Sequence, residues 1–241
     1  MITGGTSGIG FATAEAMLRE GATVAITGRD DARLAAAAER LGGGERLITI
    51  RADSSVAADA DRAAAILRDR AGRLDILFAN AGVGVFKSID ELTVEEIQQV
   101  AAVNLVGVIL TVKAMLPLLA DGGAIVLNAS WTVDRGVPGA TVYSAAKAGV
   151  RNLAQTLAAE LAPRGIRVNS ISPGYVKTET FDRVVVGAEA VDQVSAQVPL
   201  GRVGTAEEIA DAVLFLASEK SRYVNARDLE VDGGLIGAMP S

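Results

Sequence analysis

MITGGTSGIG, residues 1–10, is the stretch of the sequence that best indicates its fold. The apolar stub Met1–Thr3 runs into a glycine-rich turn, and an amphipathic segment with helical periodicity follows it. Gly4, Gly8 and Gly10 have the spacing G-x-x-x-G-x-G, and glycine permits positive φ angles and a close approach of backbone to ligand. Because the first N–H groups of a helix bind anions, this stretch predicts a strand–loop–helix unit that holds a diphosphate.

Outward from this loop, short apolar runs alternate with longer amphipathic segments along the whole chain. Each run is rich in Val, Ile or Leu, as buried parallel strands are. The runs are Thr23–Thr27, Arg46–Arg51, Leu74–Ala79, Ala124–Asn128, Arg167–Ile171 and Leu229–Val231. The predicted helices are Gly10–Glu20, Asp30–Leu41, Val56–Ala71, Thr93–Leu119, Val142–Ala162 and Ala206–Ala217. This alternation predicts an α/β fold with a doubly wound parallel sheet and helices on both faces, in one domain over residues 1–241.

The amino-acid composition limits the partners and the catalytic chemistry that the protein can have. The net charge is −6, with both signs mixed along the sequence and no long basic run, which argues against nucleic acid as a partner. The chain has no Cys and no His, so disulfides, Cys/His zinc sites, Cys nucleophiles and His-dependent triads are excluded. Acid–base chemistry must use Tyr, Lys or carboxylates, and we expect no metal. Without a secretory leader or an apolar run of about 18 residues, we expect a cytoplasmic protein that does not bind membranes.

The second predicted strand ends in Gly28-Arg29-Asp30. In dinucleotide-binding folds an acidic residue at this place binds the ribose of NAD, whereas a basic one pairs with the 2′-phosphate of NADP. Gly28 stands at the acidic position, and the Arg29 guanidinium is well shaped for a phosphate. The sequence therefore favours NADP(H), with NAD(H) as the alternative. The other interpretation makes Arg29 a solvated turn residue, and Asp30 is a candidate helix cap under either interpretation.

Two further strand ends carry candidate cofactor contacts. Asp53 follows the third strand, where it would either accept a hydrogen bond from an adenine amino group or cap the helix that begins near Val56. The fourth strand ends in Asn80-Ala81-Gly82. Small residues there would let a dinucleotide lie across the carboxyl ends of the strands.

Tyr143 and Lys147 lie at the start of a predicted helix, on one face of it because they are four positions apart. A free phenol has a pKa of about 10, and a nearby ammonium lowers that pKa by stabilising the phenolate. Ser130 ends the fifth strand and could orient a substrate oxygen. Asn104 lies inside an apolar helical stretch, where a polar side chain needs a partner. It could bend the helix and hold a water that links to Lys147.

Several of these motifs occur together in one known family. They are Thr3-Gly4-x-x-x-Gly8-x-Gly10, Asn80-Ala81-Gly82, Asn104, Ser130, Tyr143-x-x-x-Lys147 and Pro173-Gly174, in this order over essentially the whole chain. The sequence resembles the short-chain dehydrogenase/reductase family, in its compact single-domain branch. The resemblance implies a Rossmann fold with a seven-stranded parallel sheet, whose first strand is truncated here, and hydride transfer between nicotinamide and a carbonyl or alcohol.

The resemblance also implies roles for the individual residues. Tyr143 would be the general acid/base, Ser130 the substrate binder, Lys147 the ribose binder and pKa modulator, and Asn104 the anchor of a proton-relay water. Together with the residues argued above, the expected cofactor-binding set is Gly4, Thr6, Ser7, Gly8, Ile9, Gly10, Arg29, Asp53, Asn80, Ala81, Gly82, Tyr143, Lys147, Pro173, Gly174, Val176 and Thr178.

Three features depart from the family pattern. The first strand is short. Ser54 stands where an apolar residue commonly follows the aspartate, and Asn225-Ala226 replaces a Thr-Gly turn before the last strand. The resemblance further implies a homotetramer or homodimer, in which the helices near residues 93–119 and 142–162 form one interface.

Substrate choice should depend on Val83–Phe86, Trp131–Val142 and Tyr175–Pro199. Trp131 would either line the substrate pocket or pack in the hydrophobic core. Segment Thr180–Gln197 could act as a lid over a hydrophobic substrate, and no cluster of Lys or Arg marks a phosphate-bearing ligand there. We therefore expect a small neutral ketone, aldehyde or secondary alcohol. The alternatives are a 3-oxoacyl-(acyl-carrier-protein) reductase and a cofactor-binding regulator without turnover.

Overall fold

The computed structural model describes residues 1–240 of the chain. Over these residues the strands are β1 (Val24–Gly28), β2 (Leu47–Arg51), β3 (Leu74–Ala79), β4 (Leu119–Asn128), β5 (Arg167–Pro173) and β6 (Asp228–Val231). The helices are α1 (Gly8–Arg19), α2 (Asp31–Leu41), α3 (Ala57–Ala71), α4 (Val94–Ala101), α5 (Gly107–Met115), α6 (Thr141–Leu161), α7 (Glu179–Val184), α8 (Ala188–Ser195) and α9 (Ala206–Ala217).

All strand pairs are parallel. β1 pairs with β2, and the second group of strands has the order β3-β4-β5-β6. Ile2 joins the two groups, because it forms parallel bridges to both Ile26 of β1 and Phe78 of β3. The predicted seven-stranded count is not confirmed: residues 1–240 form six strands, and a bridge around Ile2 stands at the place of the truncated strand.

Helices cover both faces of the sheet, as the alternation predicts. On one face the sheet packs against α3, α5 and α6 through small and branched residues such as Ala64, Val112 and Ala154. On the other face it packs against α1, α2 and α9, and Met17 and Val213 belong to that core. The α/β, doubly wound architecture is therefore confirmed. It brings the carboxyl ends of the strands to one edge of the sheet, where the candidate residues lie.

The predicted helix Thr93–Leu119 is shorter than expected and irregular. It begins after Thr93, whose hydroxyl forms a capping box with Glu96. Residues Ala102–Val106 form a π-helical turn, and the helix ends at Met115. Pro117 explains the early end, because proline has no N–H to donate and clashes with the preceding turn.

By length and composition alone, Val94–Met115 could cross a membrane, since its mean hydropathy reaches 1.5. Buried helices of globular folds share this property, and this helix packs against α3, α6 and β3. Its exposed apolar side chains include Val94, Val106 and Ile109.

Candidate active site

The glycine-rich turn has the geometry of a phosphate-binding loop. Gly4 and Gly8 have φ angles of +66° and +52°, in the left-handed region that favours glycine. A Cβ on Gly10 would lie 2.3 Å from the Gly4 carbonyl oxygen, so no larger residue fits there. α1 begins at Gly8, and its N-cap residue Ser7 forms no side-chain capping bond. The first turn carries no acidic residue, so this helix start suits a diphosphate.

Arg29 and Asp53 lie at the carboxyl ends of β1 and β2, 3.8 Å apart between guanidinium nitrogen and carboxylate oxygen. The Arg29 side chain is 58% exposed and lines an open cleft together with Arg51 and Arg62. A Cβ on Gly28 would lie 2.7 Å from the Thr6 methyl carbon, so an acidic side chain at that position would collide with the loop. The cleft therefore combines three guanidinium groups with the carboxylates of Asp53 and Asp59.

Asp53 does not cap the following helix. The N-cap of α3 is Val56, and no side chain caps it, so the capping interpretation of Asp53 is wrong. Its carboxylate instead accepts hydrogen bonds from the backbone N–H and the hydroxyl of Ser55, at 2.9 and 2.6 Å. The predicted cap Asp30 is confirmed, because its carboxylate accepts a bond of 2.8 Å from the Arg33 N–H.

Asn80 and Ala81 connect β3 to the glycine loop. Their backbone N–H groups donate to the Thr3 hydroxyl at 2.9 and 3.0 Å, and the Asn80 amide donates to the Thr3 carbonyl at 3.0 Å. The Asn128 amide donates in turn to the Asn80 side-chain oxygen at 2.9 Å. Thr3 and Asn128 therefore fix the position of Asn80, although neither was predicted to have this role.

Lys147 is buried, with only 3% of its surface exposed. Its Nζ donates to the Asn128 carbonyl oxygen at 2.6 Å, and burial lowers its pKa to about 8. A Cβ on Gly82 would lie 3.6 Å from this nitrogen and 3.4 Å from Asn104 Oδ1. The fold thus brings Gly82, Asn104 and Lys147 together.

Tyr143 lies in the first turn of α6, and the centre of its ring is 5.8 Å from Lys147 Nζ. Burial raises its pKa above the usual value, and hydrogen bonding with the Ser130 hydroxyl acts in the opposite direction. The expected lowering by Lys147 is not found in this state. The physical reason is that desolvation of the phenolate dominates, while the ammonium is directed at Asn128. The Phe86 ring packs 5.3 Å from the Tyr143 ring.

Asn104 lies in the π-helical turn and is completely buried. Its side-chain oxygen accepts from the Val83 N–H and its amide donates to the Val83 carbonyl, both at 2.8 Å. The predicted need for a partner is met by the backbone of a neighbouring loop. The helix is not regular at this point, because residues Ala102–Val106 form a π turn, a feature common at functional sites.

Ser130 is buried two residues after the end of β4 and caps a short 3₁₀ turn, Trp131–Val133. Its hydroxyl oxygen accepts from the N–H and the hydroxyl of Thr132, at 3.3 and 3.1 Å. Both interactions use the Ser130 oxygen as acceptor, so its proton remains available for a bond to the Tyr143 oxygen or to a substrate oxygen. Sequence reasoning missed Thr132. Its position was the available signal, because a serine side chain commonly bonds to the backbone of the second residue after it.

The segment after β5 reaches back to the glycine loop. Pro173 ends β5, and Gly174 packs so closely on Asp232 that a Cβ would lie 2.7 Å from its Cα. Val176 is buried and pairs with Gly204. The Thr178 methyl would lie 3.2 Å from a Cβ on Gly8. Of this segment, Thr178 is therefore the residue that the fold brings against the phosphate loop.

Trp131 packs mainly as core. It is 7% exposed and contacts Val198 and Leu235, and the Tyr175 ring lies 4.9 Å from it. Phe181 continues this aromatic group at 6.5 Å from Tyr175. Trp131, Tyr175 and Phe181 therefore form one aromatic group, in which Trp131 and Phe181 are buried.

Comparison with known proteins agrees with this geometry. A family profile described as Enoyl-(Acyl carrier protein) reductase matches residues 4–236. Glucose 1-dehydrogenase of Gluconobacter oxydans is 38% identical over 241 residues, covering 98% of this chain and 90% of that protein. The crystal structure of a short-chain dehydrogenase/reductase, described as a glucose/ribitol dehydrogenase, from Brucella melitensis superposes with a TM-score of 0.94 at 35% identity, covering 98% of this chain and 95% of that one.

A third similar protein is a blue fluorescent protein from a metagenomic library, solved in complex with NADPH. Its TM-score is 0.91 at 30% identity, with 98% of this chain and 96% of that chain covered. The profile match spans nearly the whole chain, and the two named proteins above exceed 30% identity. Fold, motif order and comparisons agree, and the chain belongs to the short-chain dehydrogenase/reductase family of oxidoreductases, whose members use nicotinamide cofactors.

Proposed function

We propose that this protein transfers a hydride between a nicotinamide cofactor and a carbonyl or secondary alcohol substrate, with Tyr143 as the general acid/base. The observation that carries the proposal is the convergence of Ser130, Tyr143 and Lys147 beside Gly82, at the carboxyl ends of the strands. The nicotinamide, when bound, supplies or accepts the hydride. The protein's own residues supply the proton and hold the substrate oxygen.

In the reducing direction Tyr143 acts as the acid. Its raised pKa keeps the phenol protonated at neutral pH, so it can donate a proton to the carbonyl oxygen as negative charge develops there. The Ser130 hydroxyl donates a hydrogen bond to the same oxygen. The Lys147 ammonium, held by the Asn128 carbonyl, stabilises the phenolate that remains. In the oxidising direction the phenol must first lose its proton, which the Lys147 ammonium favours, and the phenolate then removes the alcohol proton.

NADP(H) is the cofactor that we propose. Arg29 lies at the end of β1 beside Arg51 and Arg62, and Gly28 leaves no room for an acidic side chain. The helix start at Gly8 would hold the diphosphate. A similar protein binds NADPH, which supports the proposal. The substrate that we propose is a small neutral ketone, aldehyde or secondary alcohol. The Phe86 ring, 5.3 Å from the Tyr143 ring, would offer it an apolar contact beside the phenol.

The test is turnover of a panel of ketones and secondary alcohols with NADPH and NADH, in the wild type and in Tyr143→Phe. We expect Tyr143→Phe to lose at least about 100-fold in kcat, since general acid catalysis contributes 10²–10⁴-fold, and to bind NADPH with unchanged Kd. Wild-type turnover in Tyr143→Phe would overturn the mechanism. Acetoacetyl thioesters belong in the panel, because the matching family profile names an acyl-carrier-protein substrate. Preference for them over simple ketones would favour a 3-oxoacyl thioester reductase.

A further inference from the structure

An arginine in the third turn of α6 connects three elements of the site. Tyr143, Lys147 and Arg151 lie at four-residue intervals and share one face of the helix. The Arg151 Nη1 donates to both carboxylate oxygens of Asp134, at 2.5 and 2.6 Å. Asp134 ends the 3₁₀ turn that Ser130 begins. The ion pair therefore ties the far end of the Ser130 turn to the helix that carries Tyr143.

A second carboxylate fixes the same guanidinium from the sheet side. Asp228 of β6 is only 7% exposed, and its oxygen lies 3.6 Å from Arg151 Nε. It also accepts hydrogen bonds from the hydroxyls of Ser170 and Ser172, at 2.5 and 2.7 Å. These two serines alternate along β5 and point to one face. Arg151 is thus held between a carboxylate that belongs to the sheet and one that ends the Ser130 turn.

Three carboxylates lie around this arginine. Glu230 lies beside Asp134 and Asp228, with oxygens of the three within 4.8 Å of one another. Burial and the neighbouring carboxylates raise the Glu230 pKa, and the Asp134 partner raises the pKa of Arg151. The guanidinium supplies the cation for this acidic group. Since Asp134 and Arg151 are only 27% and 29% exposed, solvent weakens their attraction less than at a surface pair.

We propose that Arg151 is a positioning residue, which fixes the Ser130 turn against the helix carrying Tyr143 and Lys147 through its contacts with Asp134 and Asp228. The inference rests on the proposed function, because Arg151 would set the distance between the Ser130 hydroxyl and the Tyr143 phenol. Arg151 lies two helical turns from Tyr143, about 12 Å along the axis, and does not touch the reacting atoms. A displacement of about 1 Å between catalytic groups can cost 10²-fold in rate.

The experiment compares Arg151→Gln, Arg151→Lys and a control, Arg164→Gln. Arg164 forms an ion pair of 2.8 Å with Asp121 and also binds backbone carbonyls, but it lies at the amino ends of β4 and β5. We expect Arg151→Gln to lower kcat about 10- to 100-fold, with the NADPH Kd unchanged within about twofold. Arg151→Lys keeps the charge and should recover most of that loss. Arg164→Gln should lower the melting temperature and leave kcat unchanged.

Hydrogen–deuterium exchange supplies a readout that does not depend on turnover. The segment 130–136 should exchange faster in Arg151→Gln than in the wild type, and at the wild-type rate in Arg164→Gln. If Arg151→Gln does not fold, Asp134→Asn removes the same ion pair from the other partner and should show the same pattern. Wild-type kcat in a folded Arg151→Gln, or unchanged exchange of 130–136, would overturn the proposal. A wild type that turns over no substrate refutes the proposed function instead, while the exchange comparison still decides whether Arg151 holds the turn.

Discussion

Lys147 Nζ donates a hydrogen bond of 2.6 Å to the backbone carbonyl of Asn128. This bond holds the ammonium at the carboxyl end of β4, with the centre of the Tyr143 ring 5.8 Å away. One acceptor only partly offsets the desolvation of a buried ammonium, and the pKa of Lys147 is accordingly lowered to about 8. The charge that would support Tyr143 is therefore lost within an experimentally accessible pH range.

The rate of ketone reduction should decrease as the pH rises through about 8. Below that pH Lys147 is charged, and above it the amine is neutral because its pKa is lowered from 10.5 to about 8. Tyr143 does not cause this decrease, since its pKa is raised above 10.0 and the phenol stays protonated. The measurement is kcat against pH with saturating NADPH. Lys147→Met should have a lower rate and no inflection near 8, and the same inflection in that variant would assign it to another group.

Arg29→Ala should weaken NADPH binding and leave NADH binding unchanged. Hydrogen bonds to charged groups contribute about 1.5–3 kcal/mol, so the NADPH Kd should rise by roughly 10- to 150-fold, measured by fluorescence titration. Arg73→Ala is the matched control, because Arg73 also pairs with one aspartate but precedes β3. Equal NADPH affinity in the wild type and Arg29→Ala would remove Arg29 from the phosphate site.

Asn104→Ala should lower the free energy of unfolding by roughly 2–6 kcal/mol, because it leaves two backbone groups of Val83 unpaired. The substitution removes both hydrogen bonds to Val83, and each unpaired buried polar group costs about 1–3 kcal/mol. Asn152→Ala, on the exposed side of α6, is the control and should change stability little. Urea unfolding of the two variants measures the difference. An Asn104→Ala protein as stable as Asn152→Ala would show that Asn104 does not stabilise the Val83 loop.

Ala226→Gly should stabilise the protein. Ala226 is the one non-glycine residue with positive φ among residues 1–240, at +57°, and this conformation costs an L-residue roughly 1–2 kcal/mol. Glycine removes that strain at an entropy cost of roughly 0.5–1 kcal/mol, so the net gain is about 0.5–1 kcal/mol. The melting temperature should rise by about 2–4 °C per kcal/mol. Ala36→Gly, in an exposed turn of α2, should have the opposite effect.

The sequence predicts the layers of this fold well, because buried parallel strands and amphipathic helices have different periodicities. It predicts the helix at residues 93–119 less well. Pro117 was a visible signal for the early end. The π turn around Asn104 was not visible, because it depends on the partner that Val83 offers from another loop.

In the candidate site too, some residues could be predicted from the sequence and others could not. Residues that form local motifs, such as Tyr143 and Lys147, can be recognised from spacing alone. Thr3 and Asn128 act on Asn80 through contacts that only the folded sheet creates, and the pKa of Tyr143 depends on burial. Helices α7 and α8 were not predicted individually, since the segment 180–197 was expected only as a lid that could move. The Thr178 cap, which accepts a bond from the Phe181 N–H, was the local signal for α7.

The bridge at Ile2 has a consequence for how the chain folds. Its neighbours in the sheet come from distant parts of the sequence, and the bond from the Asn80 N–H to the Thr3 hydroxyl joins residues 77 positions apart. During synthesis the segment Met1–Thr3 must therefore wait until β3 has left the ribosome before it is enclosed on both sides. Long-range pairing of this kind slows folding. Residues Met1–Thr3 are therefore among those that reach their final neighbours late.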